Sequence, residues 1–158
     1  MAEFYEMTIA GCKRKLPICA VNDKLDIAAF IMFSDVEITV ASAKELAAKA
    51  PACDVIVTAE CKGIPLAYEM AKQMNIPYIV ARKSTKLYMK DPVSVKVKSI
   101  TTANEQTLYI GADEAEMVHG KRVLIADDVI STGESLAAVE KLVEHAGGII
   151  AGKCAVLA

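Results

Sequence analysis

The sequence predicts an α/β protein, a twisted parallel sheet flanked by helices, in a single domain over residues 1–158. Three observations lead there. From Asp54 onward short apolar runs alternate with helical patterns, the order that yields crossover-connected parallel strands covered on both faces. Proline and glycine fall where elements should start or stop, at Pro51, Pro65 and Gly147-Gly148. The wholly apolar run Val123–Ala126 ends in two adjacent acids, Asp127 and Asp128. In open α/β sheets that carboxyl edge is where ligands bind.

The elements follow in order. Apolar runs at Leu16–Val21, Ile27–Phe33 and Val36–Val40 are broken by Asn22-Asp23 and Ser34-Asp35, and Asn22-Asp23-Lys24 suits a hairpin turn. Ser42-Ala43-Lys44-Glu45 carries a capping-box pattern, so a helix is expected from there to Ala50, stopped by Pro51. Strands are expected at Asp54–Ala59, Pro77–Arg82, Val123–Ala126 and Ile149–Leu157. Helices are expected at Gly63–Met74, with Pro65 in the first turn, and at Leu136–Ala146. Between Ser84 and Gly120 the alternation lapses. Val93, Val95 and Val97 alternate with Ser94, Lys96 and Lys98 there, so a half-exposed strand is expected, with Thr107–Ile110 as its return arm. Loops this long inside compact domains are usually lids or disordered.

Composition narrows the function classes. A net charge of −2 with a pI near 5.7 argues against nucleic acid as the partner. No run of 18 apolar residues occurs, so no membrane span is expected. The first residues lack the order of a signal peptide. The cysteines Cys12, Cys19, Cys53, Cys61 and Cys154 are odd in number and form no C-x-x-C, which fits a reducing cytoplasm better than disulfides or zinc.

Chemistry concentrates in Val123–Ser135, VLIADDVISTGES. Adjacent like charges need something hydroxylic or cationic to meet them, and the Ser131-Thr132-Gly133-Glu134-Ser135 turn before a helix can hold an anion. A sugar phosphate satisfies both halves. The bland alternative is a buried strand ending in a polar turn, with Ser135 as helix N-cap. A nucleotide-hydrolase reading of the acids fails for want of G-x-x-x-x-G-K-[ST], and a dinucleotide site for want of G-x-G-x-x-G.

Val123–Ser135 resembles the phosphoribosyl-diphosphate motif of type I phosphoribosyltransferases. Its companions stand in order: Ala59-Glu60-Cys61-Lys62-Gly63 is similar to the family's diphosphate loop, which often holds a cis peptide, here Glu60-Cys61. Arg82-Lys83-Ser84-Thr85-Lys86-Leu87 is similar to the R-K-x-x-K-L segment of adenine and xanthine phosphoribosyltransferases. The resemblance covers about Asp54 to Leu157. It implies the type I phosphoribosyltransferase fold, with a small N-terminal hood (about 1–40), a core (about 54–157) and a flexible hairpin lid (about 84–110).

The resemblance also assigns roles. Asp127 and Asp128 would hold the ribose hydroxyls, and Ser131, Thr132, Gly133, Glu134 and Ser135 would cradle the 5′-phosphate. Glu60, Cys61, Lys62, Gly63, Arg82 and Lys83 would take the diphosphate, Lys86 would help stabilise it as it leaves, and Asp128 and Lys86 would be the catalytic groups. Phe33 and Ile130 would sandwich a purine, adenine before xanthine. Mg²⁺ would be carried by substrate and water near the acids rather than by direct protein ligands. A cytoplasmic homodimer in purine salvage is implied.

Some positions depart from the family pattern. Thr101 stands where adenine enzymes carry a lid glutamate, with Glu105 displaced nearby. Ser131 stands where hypoxanthine and guanine enzymes carry an aspartate, Ser34 replaces an arginine, and Glu134 replaces a common glycine. These departures leave open a second class, a regulator that binds phosphoribosyl diphosphate without turning it over.

Overall fold

In the computed structural model, residues 3–98 and 105–158 are described. The departure at Ser99–Thr102, including Thr101, lies outside them. An antiparallel sheet comes first, β1 (Phe4–Ile9), β2 (Cys12–Asn22) and β3 (Leu25–Ala28). The β2–β3 turn falls at Asp23-Lys24, with Asn22 Oδ1 accepting from the Lys24 amide at 2.9 Å. Helix α1 (Val36–Lys49) leads into the core, β4 (Val55–Ala59), α2 (Ile64–Met74) and β5 (Tyr78–Ala81). A hairpin, β6 (Val93–Lys98) and β7 (Glu105–Ile110), precedes α3 (Ala112–Val118), β8 (Arg122–Val129), α4 (Glu134–His145) and β9 (Ile149–Leu157).

The central sheet is parallel, in the order β5-β4-β8-β9. Its two faces bury separate clusters. Ile56, Leu124 and Ala126 face one way with Leu66 and Met70 of α2, Ile38 of α1, and Ile9 and Leu16 of the first sheet. Val57, Ile125 and Ile79 face the other way with Val139 and Leu142 of α4 and with Leu108 and Ile110 of β7. This is the covered parallel sheet expected from the alternating pattern.

The structure corrects several boundaries. Helix α1 starts at Val36, not at Ser42. The Asp35 carboxylate caps it, Oδ1 accepting from the Ile38 amide at 3.1 Å. The same carboxylate takes Arg14 Nε at 2.8 Å and Arg14 Nη2 at 3.0 Å, which ties β2 to the head of α1. The β-branched run Val36–Val40 lacks a helical signature in isolation; the cap and the burial of Ile38 and Thr39 make it helical. Strand β8 continues through both acids to Val129, so they lie within the strand near its end rather than after it. Helix α4 starts at Glu134, after Gly133 in the left-handed region at φ 81°, so Ser135 is not its N-cap. Helix α3 has no expected counterpart: it is short, and its anchor is the Gly111 amide donating to Glu114 Oε1 at 3.2 Å.

The displaced start of α1 leaves Ser42 mid-helix, 2 % exposed, with no hydrogen-bond partner for its hydroxyl among the described residues. A buried orphan hydroxyl destabilises, and alanine is the better helix former. Ser42→Ala is therefore expected to raise Tm by about 2–4 °C, the effect of roughly 1 kcal/mol in a domain of this size. Thermal denaturation followed by circular dichroism checks this; an unchanged or lower Tm would show that the hydroxyl is satisfied in solution.

Candidate active site

The ladder between β4 and β8 pairs Val55 with Val123, Ile56 with Leu124 and Val57 with Ile125, and goes no further. Both strands run on, to Ala59 and Val129, and their next connections leave on opposite faces. Helix α2 packs on one cluster and α4 on the other. This is a topological switch point, where an open sheet makes a crevice at its carboxyl edge. A cleft of about 570 Å³ lies there.

Asp127 and Asp128 form its floor. Side chains alternate along a strand, so Asp127 follows Ile125 toward the α4 side and Asp128 follows Ala126 toward the first sheet. Asp128 is 5 % exposed, and its amide donates to Asp127 Oδ1 at 2.8 Å. Burial, with the Asp128 carboxyl beside it, pushes the Asp127 carboxyl up to about 7. Lys62, also on the cleft wall, pulls the other way.

The β4–α2 loop closes tightly on this floor. Its Glu60–Cys61 peptide is cis. Gly63 packs so close that a Cβ there would collide with Thr58 Oγ1 and come within 3.2 Å of Asp127 Oδ1. Glu60 joins this loop to the end of β5. It accepts from the Lys83 amide and from Arg82 Nε, the latter at 3.3 Å. The Lys83 amide and the Arg82 charge hold its carboxyl below the usual range.

Glu60, Cys61, Lys62, Lys83, Asp127, Asp128, Ser131 and Ser135 thus line one cleft. Ile130, Thr132 and Gly133 line a small cavity that shares Asp127, Ser131 and Ser135 with it. Within this loop Thr132 Oγ1 accepts from the Glu134 amide at 3.4 Å. Other expected site residues fall elsewhere. Arg82 is engaged by Glu60 and by the Tyr88 hydroxyl, 2.7 Å from Nη1, and is not on the cleft lining. Lys86 also stands off the lining, with Nζ donating to Ser84 Oγ at 3.0 Å. Phe33 is 44 % exposed and outside the cleft; Ile31 and the stretch from Ile27 form the wall instead. Ile27 to Phe30 of that wall, with Gln106 and Leu108 of β7, line the cleft without having been among the expected site residues. The alternation of Leu108 and Ile110 with Thr107 and Tyr109, carried back to put Gln106 on the Leu108 face, is the signal the sequence holds.

A family model described as phosphoribosyl transferase domain matches residues 35–158, and the chain belongs to that family. A hypoxanthine/guanine phosphoribosyltransferase of Methanocella arvoryzae is 39 % identical over 97 residues, 61 % of this chain and 47 % of the relative. An adenine phosphoribosyltransferase of Ureaplasma parvum is 37 % identical over 110 residues, 66 % of this chain and 58 % of the relative. The chain thus spans about half the length of the relatives it matches. The crystal structure of adenine phosphoribosyltransferase from Thermoanaerobacter pseudethanolicus superposes with a TM-score of 0.71 at 23 % identity, covering 96 % of this chain and 81 % of that one. It shares the type I phosphoribosyltransferase fold.

The elevated Asp127 carboxyl makes stability depend on pH. Its folded value lies above the ordinary aspartate value of 3.8, so the folded state holds this proton more tightly than the unfolded chain. The stabilisation is complete below about pH 4 and is lost as pH rises through about 7. Asp127→Asn removes this dependence. Its stability relative to the unsubstituted protein should grow between about pH 5 and about pH 8, as measured by urea denaturation. Parallel pH profiles for the two proteins would assign the proton elsewhere.

Proposed function

We propose that this chain transfers the phosphoribosyl group of phosphoribosyl diphosphate to a purine base, adenine first and xanthine next, and releases diphosphate. The observation that carries the proposal is the single cleft at the switch point. Paired acids, Asp128 buried and Asp127 half-buried, a serine-containing loop at a helix start and the cations Lys62 and Lys83 converge there. Each matches one part of the donor: hydroxyls to the acids, the 5′-phosphate to the loop, and diphosphate to the cations.

The chemistry asks little covalent work of the protein. Bond breaking at the ribose anomeric carbon builds positive charge on the sugar and negative charge on the departing diphosphate. Positioning and fixed charges lower that barrier. Asp127 and Asp128, held at the end of β8, orient the ribose and face its developing positive charge. Lys62 and Lys83 face the leaving group. Arg82 supports it indirectly, through Glu60 and the loop geometry. Mg²⁺ belongs to the same proposal, carried by substrate oxygens and water beside Asp127 and Asp128, carboxylates that suit its hydrated shell. The ion takes oxygen ligands in a near-octahedral shell and keeps several waters. When bound, the ion neutralises diphosphate charge.

The acceptor end supports a neutral base. The wall from Ile27 to Ile31 brings no charged side chain, and Ser131 offers no carboxylate to a 6-oxopurine. Assembly as a homodimer is part of the proposal, and the exposed Phe4, Tyr5, Val21 and Leu25 offer apolar surface for it.

Diphosphate release measured with adenine, xanthine, hypoxanthine, guanine and uracil tests the activity, and calorimetry with phosphoribosyl diphosphate tests the site. Release with adenine is expected to exceed that with any other base, and Asp127→Asn/Asp128→Asn should abolish donor binding. Clear binding with no release for any base would make the protein a phosphoribosyl-diphosphate sensor. Undiminished binding by the double variant would remove the acids from the site.

A further inference from the structure

Strand β7 does more than return the hairpin. Arg82 and Tyr109 form an antiparallel bridge, each amide donating to the other's carbonyl at 2.8 Å. The bridge sets β7 against the end of β5, so the carboxyl edge extends one strand beyond β5. In antiparallel register Leu108 then lies beside Lys83, and Gln106 lies two residues further, past the end of β5.

The faces follow from the strand period. Leu108 and Ile110 are buried in the cluster that includes Val139 and Leu142 of α4. Gln106 points to the same side, but it is exposed, because the core ends at Leu108 and the cleft begins. Among the described residues of β6 and β7, Gln106 is the polar side chain on the cleft wall. Its position along the sheet edge is at the Lys83 and Glu60 end, away from β9.

Resting on the function proposed above, we propose that Gln106 is a binding residue for the diphosphate arm of the donor, its carboxamide N–H donating to a phosphate oxygen. A neutral donor suits this place. Lys62 and Lys83 already supply charge, whereas a carboxylate would repel the polyanion. The amide also fixes direction, which a mobile ammonium does not.

Calorimetry with three probes tests it: phosphoribosyl diphosphate, inorganic diphosphate and ribose 5-phosphate, on the unsubstituted protein, Gln106→Ala and Gln106→Glu. Loss of one hydrogen bond to a charged acceptor predicts about tenfold weaker binding of the two diphosphate probes by Gln106→Ala. Gln106→Glu should weaken them more, and ribose 5-phosphate should bind all three proteins alike. In the base assay KM for the donor should rise in Gln106→Ala while KM for the base stays put. Equal weakening of ribose 5-phosphate, or unchanged diphosphate affinity in both variants, overturns the assignment. If the unsubstituted protein itself fails to bind phosphoribosyl diphosphate, the proposed function falls, and this inference with it.

Discussion

The site depends on the point where β4 and β8 stop pairing. Up to Val57 and Ile125 the two strands are an ordinary parallel ladder; beyond it each strand feeds a helix on the opposite face. The acids and the loops beside them owe their place to that divergence. Asp127 and Asp128 ride out on β8, Glu60 to Gly63 turn off β4, and Lys83 follows the next strand over. The acids keep their places because the apolar ladder beneath them is buried, Val57, Leu124 and Ile125 each being almost inaccessible. Rigid strands position the donors, and loops of a few residues carry the rest.

Much of this was legible in the chain, for physical reasons. Buried parallel strands are continuous apolar runs, so β4, β5, β8 and β9 announced themselves, and the acids marked the carboxyl edge. Helix α2 was legible from Pro65. The start of α1 was hidden because its cap is tertiary: Asp35 reads as a loop residue until Arg14, twenty-one positions earlier, fixes it. Helix α3 was hidden by its length, since so short a helix carries little periodicity.

The cleft was legible by its charges and illegible by its walls. Charged residues at strand ends stand out in a sequence; Ile27 to Ile31 and Leu108 do not, since an apolar residue beside a ligand looks like one in a core. Arg82 illustrates the converse limit. A cation at a strand end reads as an anion ligand, yet its guanidinium spans Glu60 and Tyr88. Sequence identifies a charge without its partner, and Glu60 lies twenty-two residues away.

The elevated Asp127 carboxyl has a consequence for any heat measured at this cleft. Near neutral pH the free protein is a mixture, part of it carrying a proton on that side chain. A ligand that needs the carboxylate ionised expels the proton as it binds, and the buffer takes it up. The apparent enthalpy then contains the buffer's own ionisation heat. Titrations in Pipes and in Tris, two buffers of different ionisation heat, then differ, and the difference counts the protons released.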